Sequence, residues 1–343
     1  MTGLTATDLF CGAGGSTTGL KSAGVRVVMA ANHWRRAIET HSANHPDTEH
    51  DCADLRATHP SAYQKTDILT ASPECTNHSL AKGRARKNIH QLDLWGDNRV
   101  DPAEERSRAT MREVVEFAEF HRYKIIIVEN VVEIAYWQHY DAWIEAMTGL
   151  GYQHRALYLN AQFFGVPQSR DRVYVVFWLR GIKTPDLDFR FPANCPDCGQ
   201  VEVYQSFKKT RHWGRYGANR QYIYRCSACH KPVHPPHTPA AVAIDWGLPV
   251  QRIADRKRPL QPKTMQRIEA GLKKLHGQPG VMDTTHTHAA HPGKVSGILD
   301  PMPTQTTRQS SAMFLNMKGP NIAQSVEKPL GALTTIDSHC FIP

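Results

Sequence analysis

Over the first 180 residues, short apolar runs alternate with stretches of helical spacing. Thr5 to Phe10, Val25 to Ala31, Asp67 to Ala71, Tyr123 to Val128 and Val173 to Leu179 read as strands. The Tyr123 to Val128 run is of the kind buried on both faces of a parallel sheet. Arg112 to His121 places Val114, Val115, Phe117, Ala118 and His121 near one face, the spacing of a helix. The first strand runs into a glycine turn, Cys11-Gly12-Ala13-Gly14-Gly15, and Ser16-Thr17-Thr18 open a helix. Strand–helix alternation with glycine at a strand's end predicts a doubly wound α/β domain.

The pattern changes near Gly181. Residues 185–260 are rich in Pro, Arg, Lys, Tyr and Trp and show little periodicity, and Pro259 to Leu275 predicts a short basic helix. Residues 283–343 are rich in Thr, Ser, Pro and His. They carry an imperfect repeat at a 28-residue offset: Pro301-Met302 and Thr306-Thr307 match Pro329-Leu330 and Thr334-Thr335, and Ser310 matches Ser338. The repeat is either two similar strand-turn pieces or a coincidence in a Thr-rich stretch. Two copies are too few for a solenoid.

A length of 343 residues leaves room for about two domains. The net charge of +9 is uneven: residues 1–180 carry 20 basic and 21 acidic side chains, residues 181–280 carry 17 and 7, and residues 281–343 carry four of each. A positive field confined to one segment is either the footprint of a polyanion binder or a surface kept soluble by charge. No apolar run reaches the length of a membrane span, and Met1 to Leu9 has neither the basic nor the apolar part of a signal peptide. Eight cysteines in such a chain point to a reducing, cytoplasmic compartment and to thiol or metal chemistry. Membrane, collagen-like and disordered classes are excluded.

Five places carry candidate chemistry. The glycine turn lets backbone N–H groups approach a nucleotide-like cofactor at the strand's carboxyl end, although it is not the GxGxxG fingerprint. In Ser72-Pro73-Glu74-Cys75-Thr76-Asn77-His78-Ser79, Cys75 follows an apolar strand and is either a nucleophile or a buried small hydrophobe. Glu129-Asn130-Val131 puts a carboxyl at the mouth of another strand, as an acid or a helix cap. Gln168-Ser169-Arg170-Asp171-Arg172 places Gln168, Arg170 and Arg172 on one face, for a polar ring or phosphate, or as a solvated edge. Cys195 and Cys198, then Cys226 and Cys229, form two C-x-x-C pairs that supply four thiolates for a structural zinc; disulfides would conflict with the compartment. Between the pairs, Lys208, Lys209, Arg211, Arg215, Arg220 and Arg225 interleave with Phe207, Trp213, Tyr216, Tyr222 and Tyr224, which suits phosphates and base faces.

Asp8-Leu9-Phe10-Cys11-Gly12-Ala13-Gly14-Gly15, the Pro-x-Cys loop, Glu129-Asn130-Val131 and Gln168-x-Arg170-x-Arg172, in this order, resemble the DNA (cytosine-5) methyltransferase family of bacterial or phage type. Asn44-His45-Pro46 and Phe164-Gly165-Val166-Pro167 also look like its connecting sequences. The resemblance covers roughly residues 4–180. It implies a Rossmann-like, S-adenosylmethionine-dependent catalytic domain over 1–180. It also implies a smaller, β-rich target-recognition region over 181–343, here with a zinc ribbon at 195–229.

By the same resemblance, a cytosine of double-stranded DNA leaves the duplex and Cys75 attacks its carbon 6. Glu129 holds N3, Arg172 binds O2, and Arg170 and Gln168 organise the loop around Cys75. Phe10, Gly12, Gly14, His33, Trp34 and Asp54 hold S-adenosylmethionine. Three departures stand out. Glu74 replaces the proline that usually precedes the cysteine, and His33 stands where the family has a ribose-binding acid. The family's closing arginine-led segment and Gly-Asn helix have no counterpart before Pro343. The chain is then truncated, is completed by a second chain, or works without them. The alternative readings are an RNA (tRNA) cytosine methyltransferase and a non-catalytic or partner-dependent DNA-binding relative.

Overall fold

The computed structural model describes residues 2–73, 102–210, 212–244, 257–276, 278, 280–283, 295–303 and 311–314. Among these residues no helix is long and apolar enough to cross a membrane. β1 (Thr5–Leu9) leads into α1 (Gly15–Ser22), and β2 (Arg26–Ala31) into α2 (Arg35–Asn44) and β3 (Glu49–Asp51). β4 (Ile68–Ala71) is followed by α3 (Pro102–His121), β5 (Ile125–Asn130), α4 (Tyr140–Gly149), β6 (Tyr152–Asn160) and β7 (Asp171–Leu179). These strands form one sheet in the order β3-β2-β1-β4-β5-β7-β6. β1 runs parallel to β2 and β4, β2 to β3, and β4 to β5, whereas β7 is antiparallel to β5.

All four residues of β4 are buried, as expected of a strand covered on both faces. Val114, Phe117 and Ala118, on the expected face of α3, have no solvent exposure. At the start of the sheet, one Asp67 carboxylate oxygen accepts from the Thr5 N–H at 2.9 Å, and the other meets Lys124 Nζ at 2.7 Å. These donors hold the Asp67 carboxyl down at about 2. The strand order reverses between β1 and β4, so a crevice opens past their carboxyl ends.

A chain of buried hydrogen bonds crosses this crevice. The fully buried Asp8 carboxylate accepts from Thr17 Oγ1 at 2.8 Å and from Thr70 Oγ1 at 3.0 Å. Thr17 has given its one hydroxyl hydrogen to Asp8, so at 3.1 Å it accepts from His41 Nε2–H. His41 Nδ1 then accepts from His50 Nε2–H at 2.8 Å. Both imidazole tautomers follow from the direction of the first bond. Leaving any one of these buried groups unpaired would cost ~1–3 kcal/mol.

Past β7 come β8 (Arg190–Cys195), β9 (Gly199–Phe207), β10 (Tyr222–Cys226), α5 (Pro262–Lys274), β11 (Gly280–Asp283), β12 (Val295–Gly297) and β13 (Ser311–Phe314). β8 to β10 form a sheet in the order β10-β9-β8, and the last three strands form another in the order β12-β11-β13. Three strands thus occupy the segment that shows little periodicity. β9 buries one position of nine, so the alternation that marks a strand is weak there, whereas the short β10 alternates buried and half-buried positions. α5 lies within the basic helix predicted for this region. It packs Ile268 against Val295, with Met265 and Leu272 alongside. Thr306, Thr307, Ser310 and the whole second copy of the tail repeat lie outside the described residues.

The chain forms two compact units. The first comprises Met1–Leu159, Asp171–Arg190 and Tyr204–Ile223; the second comprises Asn160–Arg170, Phe191–Val203 and Tyr224–Pro343. The boundary expected at residue 180 therefore falls inside a segment of the first unit. Residues 160–170 belong to the second unit because Phe163 packs on Phe191 and Tyr224, and Ser169 N–H donates to Met302 O at 2.7 Å.

Burial raises the Asp8 carboxyl from 3.8 to about 6, so its contribution to stability is full below 3.8 and is lost as pH rises to about 6. Burial, then His50, His45 and Lys21, lower His41 from 6.5 to about 4, so its contribution is lost as pH falls through that window. The two slopes oppose each other. Asp8→Asn removes one of them, and its urea midpoint should climb more steeply than the wild type's between pH 4 and pH 6.5. Equal slopes would mean that Asp8 titrates in the folded protein as it does in the unfolded chain.

Candidate active site

The glycine turn follows β1 directly. Phe10 is not a strand residue: its φ of 57° is left-handed, where a bulky side chain is rare. Gly14 has φ 102°, and a Cβ there would lie 2.6 Å from the His45 ring, so only glycine fits. His45 Nε2–H donates to Gly14 O at 3.1 Å, and Asn44 Nδ2 donates to Ala13 O at 3.2 Å. The turn is therefore held from below by the end of α2. Burial and the Asp8 charge push the neighbouring Cys11 thiol up to about 12, which makes it inert.

One cleft in the first unit is lined by Phe10, His33, Ala53, Asp54, Leu55, Arg56 and Thr110. It unites three of the six residues expected at the cofactor: Phe10, His33 and Asp54. Gly12 and Gly14 stay in the turn beside Phe10, and Trp34 follows His33 with 59% of its surface exposed. Sequence reasoning missed Arg56 and Thr110. Arg56 grips Asp54 with two nitrogens, Nε to Oδ1 at 2.9 Å and Nη2 to Oδ2 at 2.5 Å. The Arg56 guanidinium holds the Asp54 carboxyl below its ordinary value. Nothing but its place two residues after Asp54 marked Arg56. Glu113, one turn beyond Thr110 on α3, is raised to about 7, first by burial and then by Glu116.

The second constellation lies where β5 and β7 adjoin. Their antiparallel register sets Glu129 opposite Tyr174 and Asn130 opposite Val173. Arg172 Nε meets Glu129 Oε1 at 2.7 Å, with both side chains mostly buried. Arg172 also donates from Nη1 to Asp171 O at 2.8 Å. Asn130 Nδ2 donates to Pro73 O at 3.4 Å, which ties the segment after β4 to the end of β5. Cys75 and Glu74, two residues and one residue beyond Pro73, lie outside the described residues. Two further ties at this edge were not foreseen. Glu133, 8% exposed, binds Arg215 Nη2 at 2.5 Å, and Asp171 Oδ1 accepts from Tyr216 N–H at 3.0 Å.

Arg170 and Gln168 belong to the second unit. There the Arg170 N–H donates to Asn160 Oδ1 at 3.2 Å, and Gln168 bridges to Met302. The same unit gathers Cys195, Cys198, Cys226 and Cys229, with all four sulfurs within 4.8 Å of one another. The Sγ atoms of Cys195 and Cys229 are 3.7 Å apart. That is too long for a disulfide, but it matches the ~3.8 Å edge of a tetrahedron with ~2.3 Å zinc–sulfur bonds. Cys226 Sγ also accepts the N–H groups of Ala228 and Cys229 at 3.3 and 3.4 Å, which fixes its direction. The four cysteines form a cluster able to hold a metal ion.

A family profile described as C-5 cytosine-specific DNA methylase matches residues 4–213. The chain is 28% identical over 179 residues to the type II methyltransferase M.DdeI of Desulfomicrobium norvegicum, covering 49% of this chain and 39% of that protein. It is 29% identical over 190 residues to the type II methyltransferase M.NlaX of Neisseria lactamica, covering 54% of each. It thus spans about two-fifths to half the length of these relatives. The crystal structure of the S. pombe Dnmt2 methyltransferase aligns at 20% identity and a TM-score of 0.41, covering 53% of this chain and 51% of that one. The profile takes in both the turn after β1 and the Glu129–Arg172 pair, and this chain belongs to the C-5 cytosine-specific DNA methylase family.

Proposed function

We propose that this chain transfers the methyl group of S-adenosylmethionine to carbon 5 of a cytosine in double-stranded DNA. The observation that carries the proposal is the 2.7 Å Glu129–Arg172 pair at the adjoining ends of β5 and β7. Cytosine presents N3 and O2 side by side, and a carboxyl next to a guanidinium is the matching set. Arg172 orients Glu129 toward N3 and donates to O2. A proton at N3 makes carbon 6 electrophilic. Cys75, as thiolate, adds to carbon 6, and carbon 5 takes the methyl group as its bond to the sulfonium breaks and S-adenosylhomocysteine, a neutral thioether, leaves. A base then removes the carbon-5 proton, and the electrons left behind expel the thiolate.

The cleft fits the cofactor by the chemistry of its donor set. Phe10 offers an aromatic face, His33 an imidazole for a ribose hydroxyl, and Asp54 an acceptor for the adenine amino group. Nothing lies within 4 Å of where a Cβ on Gly12 would stand, so a ligand can approach the main chain of the turn there, and Trp34 stands at hand for the adenine face. When bound there, S-adenosylmethionine supplies the electrophilic methyl group. In the second unit the four cysteines hold a structural zinc, and this unit reads the target sequence.

Incubation with labelled S-adenosylmethionine and mixed-sequence duplex DNA should put label on cytosine. Cys75→Ser should abolish transfer, and Glu129→Gln should lower it by at least about a hundredfold, the scale of a lost proton-transfer group. Label on tRNA in preference to duplex DNA would move the activity to RNA. Full transfer by Cys75→Ser would remove the covalent mechanism.

Elemental analysis should find one zinc per chain. A chelator should expose residues 195–203 and 224–229 to protease and erase sequence preference while S-adenosylmethionine binding persists. Loss of both together would contradict the division of labour between the units.

A further inference from the structure

The segment Tyr204–Ile223 belongs to the same unit as the Glu129–Arg172 pair, not to the unit that holds the cysteines. Its central loop closes on itself. Lys208 N–H donates to Gln221 O at 3.0 Å, Gln221 N–H to Arg215 O at 3.1 Å, and Arg215 N–H to Gln221 Oε1 at 3.0 Å. Gly214, at φ 125°, allows this closure, because a Cβ there would lie 2.3 Å from Gln221 Cβ. Trp213, the residue before it, is therefore held by a built loop rather than a loose one.

Three contacts fasten this loop beside the catalytic pair. Arg215 binds Glu133, four residues after Glu129. Tyr216 N–H binds Asp171, the neighbour of Arg172. Trp213 meets Tyr136 edge to face, with ring centroids 4.7 Å apart and planes at 82°. Tyr136 ends the turn Val132–Tyr136 that follows β5, and 46% of its surface is exposed. The segment contains five basic residues and no acidic one, and Lys208, Lys209 and Arg220 are exposed. Exposed cations in the same segment as a fixed aromatic ring suit a nucleic-acid strand: charge follows the phosphates, and a ring takes a base face.

We infer that Tyr136 and Trp213 form a stacking platform for a nucleobase of the DNA substrate other than the target cytosine, one whose face is uncovered when that cytosine leaves the stack. This rests on the proposed reaction on DNA and adds a subsite to it. Arg215 is a positioning residue, since its guanidinium is spent on Glu133 and it acts by holding Trp213 in place. The platform recognises a base by its face, so it adds affinity with little sequence preference, whereas the exposed lysines add the salt-dependent part.

The test is the affinity of the full chain for mixed-sequence duplex DNA at three salt concentrations, with methyl transfer measured in parallel. Trp213→Ala should weaken binding about tenfold at every salt concentration and leave the salt slope unchanged. Trp213→Phe, which keeps a ring, should stay within about threefold of wild type. In turnover, Trp213→Ala should raise KM for DNA and spare kcat. Should Trp213→Ala fail to fold, Tyr136→Ala, at a half-exposed ring, should show the same loss. Wild-type affinity in the alanine variants would overturn the inference, and so would a salt slope reduced by about one, since that signals a phosphate contact. If the wild-type chain binds duplex DNA but transfers no methyl group, the proposed reaction fails while the binding arm still decides the platform.

Discussion

Everything at the crevice depends on one buried carboxylate. Asp8 sits at the last turnings of β1 with no exposed surface, and a charge there is tolerable only with donors around it. Thr70 from β4 and Thr17 from α1 supply them. Thr17 then ties in His41 of α2, and His41 ties in His50 of β3. Satisfying one charge therefore fixes how two helices and three strands meet. The glycine turn lies inside that frame, with His45 directly beneath Gly14. Phe10 adopts a left-handed φ that a bulky residue seldom takes, whereas Gly12 takes φ 54° at no steric cost.

The opposite side of the crevice follows a different logic. Glu129 with Arg172, and Glu133 with Arg215, are ion pairs between a carboxylate near the end of β5 and an arginine from a later part of the chain. Removing either arginine would leave a largely buried carboxylate without its counter-charge, which is more costly than losing an exposed pair. The first of these contacts shapes a polar edge where β5 and β7 adjoin, and the second secures a basic, aromatic loop beside it. β7 running antiparallel to β5 makes this possible, because Arg172, at the start of β7, lands next to Glu129, near the end of β5.

The second unit is organised around sulfur and aromatic rings. Phe163, Phe191 and Tyr224 pack together, with ring centroids 5.2 to 5.9 Å apart. In the sequence the four cysteines flank Phe191 and Tyr224 closely. The segment 160–170 joins this unit through its own pairing with Met302. A motif that reads as the tail of the catalytic half is in this way built into the half that carries the cysteines.

Much of this was legible in the chain itself. β1, β2, β4, β5 and β7, the turn after β1, the helix face of α3 and the cysteine spacing depend on near neighbours, and neighbours are what a sequence displays, whereas β3 and β6, at the two edges of the sheet, were not read. Near neighbours also carry Glu129 at a strand's mouth and the order of motifs that marks the family. The tautomers of His41 and His50, set through Thr17 and Asp8, and the Arg215–Glu133 pair across 82 residues were not legible. Neither was the interleaving of the two units. Each of these depends on which distant segments the folded chain brings within hydrogen-bond reach. A local pattern specifies what an element is, whereas the partner of a buried charge is chosen only when the elements pack.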